Sequence, residues 1–466
     1  MKNLGIVITD GVGFRNYILT EFIEEAKSNF DNVIIFSCLP KSVYDDLNLK
    51  CEIIELDVFT EKFKNWFFRK AKEVAHLQLN KNNNFGIQDN FNSNKTKSKS
   101  NRGYATRFII KFTSLFHSEK WILRYNYWQQ NSFKNNKVTK QYEELLKDNK
   151  ITLLFFTHQR PPFIAPLIFV AQKQNIKTAT FIFSWDNLAS KGRMAGNFDN
   201  YLVWSNLMKT ELLTFYKSVK QHQVEVVGTP QFEPFTYAKV GYAKESLIKK
   251  FNLDSKKPIV FFTCNDSSSE NDPIYLDLLA NFIQTNKLKK EVNLIVRTSP
   301  AEDPDRFKEI AEKYEFIKWN FPDWTITRYG HQEAWTQRVP SVQDLDDLKT
   351  LLQHCEFNIN VLSTITLDAF IFDKPVINPV FGNTINCMFD DQKFLKYEHL
   401  RKLVDSKASE IVTNEESFLN AINKILSDGD DKSRERKDFN NLQIGKPLEG
   451  TSKRIATILR KWSQEK

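Results

Sequence analysis

The chain has 466 residues, 41% hydrophobic and 26% charged, with a formal net charge of +9. That is the composition of a folded globular protein long enough for two domains, and it excludes a disordered or collagen-like chain. No apolar run approaches the ~20 residues that span a bilayer. The N-terminus runs straight into a strand and turn without a cleavable leader, so a cytoplasmic location is expected. Five scattered cysteines without CxxC spacing read as free thiols, and the seven histidines show no metal-binding spacing.

In chain order, the first half offers strands at residues 4–9, 33–37, 53–57, 151–157, 178–183, 200–204 and 224–227. The second half offers them at 258–263, 292–297, 315–319, 356–361, 375–378 and 409–412. These runs are continuously apolar, as in parallel sheets covered on both faces, and helical stretches separate them. The pattern restarts at Pro258 after a polar break, which predicts two doubly wound α/β domains facing a cleft, with a boundary around 233–257. The expected division is one domain over 1–240, a second over 241–440, and a C-terminal helix, 441–466, packing back on the first.

One region departs from the alternation. Residues 61–150 carry 19 Lys+Arg against 7 Asp+Glu. Within them, 80–103 is polar, Asn/Ser/Lys-rich, and reads as a mobile loop. On either side, aromatics interleave with bases, and Phe63, Trp66, Phe67 and Lys70 fall at helical spacing. Such a helical basic insertion can rest on an anionic membrane or pack on its own domain. No nucleic-acid recognition motif accompanies the charge, so no nucleic-acid partner is expected.

Three strands of the second half end in hydroxyls: FFTCNDSSSEND (Thr263, Ser267), IVRTSP (Arg297) and NINVLSTITLDAF (Ser363, Thr364, Asp368). At the C-terminal edge of a parallel sheet, unpaired first-turn N–H groups and hydroxyls suit a diphosphate, and an acid one turn on suits ribose hydroxyls. Plain N-capping is the equal alternative. The glycines are too few for a P-loop or GxGxxG fingerprint.

These pieces, in the order TCND, VRTSPAED, then CEFNINVLSTITLDAFIFDKPVI, resemble the donor-binding domain of GT-B glycosyltransferases. They are similar to bacterial enzymes that build surface polysaccharides and to CDP-glycerol glycerophosphotransferases. FSWDNLASKG, DNYLVWSNLMKTELL and VVGTPQFEPF extend the likeness to the first half, leaving out roughly 60–150. The resemblance implies donor contacts at Arg297, Ser363, Thr364 and Asp368, a nucleotide-sugar substrate with no cofactor, and no bound metal. It also implies a glycan or lipid-linked glycan acceptor. Ser299 stands where related sequences often carry histidine, and Asn360 where retaining enzymes place a first glutamate. The second departure argues for inversion.

Inversion needs a general base beside the acceptor hydroxyl. Asp10 in TDGVGFRN is the first choice, with Asp186 and His158 as alternatives; an Asx-turn or cap accounts for Asp10 equally well. Gly11, Gly13, Arg15, Arg160, Asn187 and Lys191 complete the expected acceptor side. The competing functions are a CDP-glycerol-type glycerophosphotransferase and a non-catalytic nucleotide-sugar or glycan-binding module.

Overall fold

A computed structural model describes residues 2–465. The chain forms two units, dividing between Glu233 and Pro234. The first also takes in Ile326–Val339 and the C-terminal stretch from Gln443.

The sheet of the first unit contains β1 (Asn3–Ile8), β2 (Asn32–Ser37), β3 (Glu52–Glu55), β4 (Leu153–Phe156), β5 (Lys177–Phe181), β6 (Asn200–Val203) and β7 (Val224–Val226). The order is β3-β2-β1-β4-β5-β6-β7, and every pairing is parallel. β1 and β4 are buried along their whole length, which is why they read as unbroken apolar runs. Strand order reverses between β1 and β4, and open α/β sheets present ligand sites at such a switch. The register pairs Val7 with Phe156, so Thr9-Asp10 and Thr157-His158 leave the same edge side by side.

Helices α1 (Gly11–Tyr17) and α2 (Phe22–Asn29) follow β1. Between β3 and β4 the insertion folds as α3 (Phe63–Asn80), α4 (Phe85–Ser93), α5 (Asn101–Thr113), α6 (Glu119–Asn131) and α7 (Lys137–Asp148). The mobile loop expected at 80–103 is therefore largely helical. Asn84 caps α4 by accepting from Ile87 N (2.9 Å), Ile87 and Phe91 are buried one turn apart, and Asn90 Nδ2 donates to Ser190 O (2.8 Å). The asparagines that suggested disorder are cap and tie. Of the two alternatives open for Trp66, packing on its own domain is the one observed: it is 7% exposed. The C-terminal helix, Thr451–Trp462, buries Ile455, Leu459 and Trp462 and packs on α2. Ser452 N at its start donates to both carboxylate oxygens of Glu233 (3.0 and 3.1 Å).

The second unit contains β8 (Ile259–Thr263), β9 (Asn293–Arg297), β10 (Lys318–Asn320), β13 (Phe357–Ile359), β14 (Val376–Pro379) and β15 (Glu410–Val412). A two-stranded ribbon, β11 (Trp324–Ile326) and β12 (Arg338–Pro340), brackets the segment that belongs to the first unit. The main sheet is parallel, ordered β10-β9-β8-β13-β14-β15, with its switch between β8 and β13. Among the described residues, no helix is long and apolar enough to cross a membrane.

Candidate active site

In the first unit the switch point brings together two of the residues proposed as bases. Asp10 caps α1, accepting from Gly13 N at 2.8 Å through Oδ1. Its Oδ2 accepts from Thr9 Oγ1 (2.6 Å) and lies 2.9 Å from His158 Nδ1. Asp10 is 0% exposed and His158 4%, so the pair is enclosed on all sides. Burial alone raises the Asp10 carboxyl, but hydrogen bonds and charge from His158, with Thr9 and Gly13, outweigh it and hold it below its ordinary value. Asp10 is thus a carboxylate, and Nδ1 carries the proton it accepts. Burial lowers the His158 pKa more than Asp10 raises it. The neutral ring keeps a lone pair on Nε2. Face-to-face stacking on Phe183, at 3.8 Å and 13°, fixes the ring plane.

The two glycines are closely packed. A Cβ on Gly11 would lie 1.7 Å from the Arg338 carbonyl oxygen, and one on Gly13 would lie 2.8 Å from Thr157 Oγ1. Only glycine lets the first turn of α1 close against these neighbours. Arg15 Nε donates to Asn16 Oδ1 (3.0 Å), and Arg160 Nη1 donates to Gly192 O (2.9 Å). Asp186 lies 3.4 Å from Lys191 Nζ and accepts from Asn187 Nδ2 (3.0 Å), so it belongs to a local turn. Asn187 Oδ1 accepts from Gln159 Nε2 (2.8 Å), while Gln159 Oε1 accepts from Phe183 N (3.0 Å). This latch ties the loop bearing His158 to the one bearing Asp186.

Residues of Ile326–Val339 complete the surroundings, and sequence reasoning missed them. Trp335 lies 6.2 Å from the His158 ring, and His331 meets Phe163 edge-on at 5.2 Å. Burial raises the Glu333 carboxyl, and Arg69 and Arg160 pull it back only in part. GHQEAW has neither helical nor strand periodicity, and it is flanked in sequence by the second domain, so nothing local announces its place.

The corresponding edge of the second unit is built from amides. Asn360 Oδ1 accepts from Ser363 N (2.8 Å), Thr366 Oγ1 (3.1 Å) and Asn378 Nδ2 (3.2 Å), and its Nδ2 donates to Asn358 Oδ1 (2.7 Å). Leu362 turns the chain at φ +52°, in the left-handed region a bulky residue seldom occupies. Ser363 and Thr364 stand half-buried just before the helix Ile365–Ile371, and Asp368 is buried inside it. Thr263 faces the interior, accepting from Asn358 Nδ2 at 3.1 Å, and is 5% exposed. Ser267 is exposed, its N donating to Glu302 Oε2 (2.6 Å). The arginine that organises this loop is Arg306, donating to Asn265 O (2.6 Å) and Ser269 O (2.7 Å). Burial pushes Asp272 in the same cluster up to about 6, against hydrogen bonds from Ser269 and Asn265.

Arg297 is placed otherwise than expected. Its Nη2 donates to both oxygens of Asp344 (2.8 Å each) and its Nη1 to Asn320 Oδ1 (2.5 Å), at 6% exposure. Burial raises the Asp344 carboxyl, but Arg297 outweighs that and holds it low. The guanidinium is an internal tie between β9 and the helix starting at Val342. Among the described residues, no group of three His, Cys, Asp or Glu is placed to hold a metal ion.

No family model matches the chain. No curated protein matches it either. Solved structures do match over nearly its full length. S. aureus MnaA, solved with UDP, is 11% identical, covers 99% of this chain and 97% of its own, and superposes with a TM-score of 0.56. The UDP-GlcNAc 2-epimerase of Methanocaldococcus jannaschii is 13% identical over 99% and 100%, with a TM-score of 0.53. A glycosyltransferase from Rickettsia africae is 13% identical over 100% and 99%, at 0.52. At these identities the likeness is one of fold: two Rossmann-like α/β domains in the GT-B arrangement of chain and strands.

Proposed function

We propose that the chain is a glycosyltransferase that moves a sugar from a nucleotide donor to a growing surface glycan, by inversion and without a metal ion. The observation that carries this reading is the buried Asp10–His158 pair at the β1/β4 switch point. Nε2 of His158 takes the proton of the acceptor hydroxyl as the oxygen attacks the anomeric carbon. The Asp10 carboxylate stabilises the imidazolium that forms. The new C–O bond forms opposite the breaking bond to the nucleotide phosphate, so one displacement inverts the centre. Ser363, Thr364 and the backbone N–H groups beside them receive the diphosphate, with Asp368 near the ribose. The cytoplasmic face of the plasma membrane is where a lipid-linked acceptor would be met.

UDP is present in the S. aureus MnaA structure and UDP-GlcNAc in that of a 2-epimerase from Neisseria meningitidis, which makes UDP-sugars the first donors to test. The experiment is a thermal-shift screen of UDP, GDP, CDP and CMP with their sugars, followed by turnover of any binder. A ligand at 100 times its dissociation constant adds about 2.7 kcal/mol of stability. Stabilisation by a nucleotide sugar, with turnover lost in His158→Ala, supports the reading. Stabilisation by CDP-glycerol alone favours glycerophosphate transfer, and binding without turnover of any donor favours a non-catalytic module.

A further inference from the structure

The insertion carries a surface that the chemistry above does not use. On α3, α5 and α6 six aromatic rings close a circuit. Phe67 meets Phe68 (5.6 Å), Phe68 meets Trp128 (5.8 Å), and Trp128 meets Trp121 (6.3 Å). Trp121 meets Phe112 (6.4 Å), Phe112 meets Phe108 (5.8 Å), and Phe108 returns to Phe67 (6.4 Å). None of the six is fully buried. Phe108 is 58% exposed, and beside the circuit Phe63 is 49% and Leu115 79% exposed. A cleft of about 340 Å³ opens at the edge, lined by Phe68, Trp128, Lys64, Asn131 and Ser132. Soluble surfaces seldom leave so continuous an apolar patch uncovered.

The charges beside it have one sign. Lys64, Lys111, Lys120 and Arg124 are exposed on the same helices, and the Arg124 guanidinium lies over the Trp121 ring at 4.8 Å. The only acids on α3, α5 and α6 are Glu73 and Glu119. Glu73 is bonded to Arg69 (2.8 Å) and Glu119 to Arg193 (2.6 and 3.1 Å).

We propose that this face seats the protein on an anionic lipid bilayer, the aromatic circuit entering the interface and the cations meeting lipid phosphates. Rigid apolar rings with two tryptophans among them, flanked by long basic side chains, are the chemistry of an interfacial anchor. A second copy of the same face would set cations against cations, which disfavours self-association as its purpose. The inference rests on the transferase reading for its purpose only, since the lipid surface is where the acceptor would be met.

The test is flotation of the full chain, without donor, on phosphatidylcholine vesicles with and without about 30 mol% phosphatidylglycerol. Binding at least about tenfold stronger to the anionic vesicles is expected, falling when salt rises from about 0.1 to 0.5 M. Phe108→Ser with Leu115→Ser should lower the salt-resistant part about tenfold. Lys111→Glu with Arg124→Glu should remove the preference for anionic lipid. These side chains are solvent-exposed, so unchanged melting temperatures are expected in the variants. Equal or absent binding to both vesicles would overturn the proposal. So would concentration-dependent dimerisation that Phe108→Ser abolishes. Donor binding in the thermal-shift screen is read separately: lipid binding without it leaves this proposal standing and removes the transferase reading.

Discussion

The two sheets share a topology up to their sixth strand, yet their switch points end in different chemistry. At β1/β4 the chain places a carboxylate and an imidazole 2.9 Å apart in the interior. At β8/β13 it places asparagines and hydroxyls, joined through Asn360. The first is a pair of titratable side chains; the Asn360 network of the second has none, and it donates, accepts and holds shape. One architecture thus carries two capacities, set by a handful of side chains beyond the strand ends.

The sharpest way to break that contrast is to disable the proton-moving edge. His158→Ala is expected to cut turnover by about 10²–10⁴ with donor binding retained. Asp10→Asn should fall in the same range, while Asp186→Asn, in its turn with Lys191, should fall far less. The pH profile gives a second readout. The His158 pKa lies below its ordinary 6.5, so the acid limb of kcat should sit below that value. Asp10→Asn removes the upward pull of the carboxylate and should move the limb further to acid. The linked stability has a definite sign. Between the folded and unfolded pKa values the unfolded chain binds more protons, so this contribution is intact above 6.5 and is lost as pH falls toward the folded value.

The second edge should respond in stability before chemistry. Arg297→Ala leaves Asp344 buried without its cation, and a loss of about 3–5 kcal/mol is expected in chemical denaturation. Donor affinity of the folded fraction should hardly change; a large loss there, with stability intact, would return Arg297 to the phosphate site. Asn360→Leu abandons Ser363 N and Thr366 Oγ1, at about 1–3 kcal/mol for each group left unpaired, while Asn378 Nδ2 keeps its bond to the carbonyl oxygen of residue 360. Ser363→Ala should be the mildest, changing donor affinity by about 0.5–1.5 kcal/mol by calorimetry, because the backbone N–H groups remain.

Much of the fold was legible in the chain itself. LGIVIT, ITLLFF and PIVFFT are buried on both faces, so their hydrophobicity is continuous and their identity as strands needs no tertiary information. The helical character of 60–75 and the one-sided charge of 61–150 were equally local. The low-complexity look of 80–103 misled because asparagine caps and ties helices as readily as it solvates loops. Trp66 stayed open between surface and interior because helical spacing does not say which face of a helix turns inward.

Sequence alone determined that Asp10, His158, Arg297 and Ser363 stand just at or beyond strand ends, since strand ends follow from hydrophobic runs. Only the tertiary structure decided what each does there. Parallel register set His158 against Asp10 across 148 residues of chain, joining two of the expected candidate bases in one hydrogen-bonded pair. In the second sheet, the β9/β10 register sets Arg297 beside Asn320, and the helix from Val342 brings Asp344 to its guanidinium. Ile326–Val339 was assigned to the first unit by long-range packing. Pairings between distant segments depend on how whole strands align, and no local pattern of residues encodes that alignment.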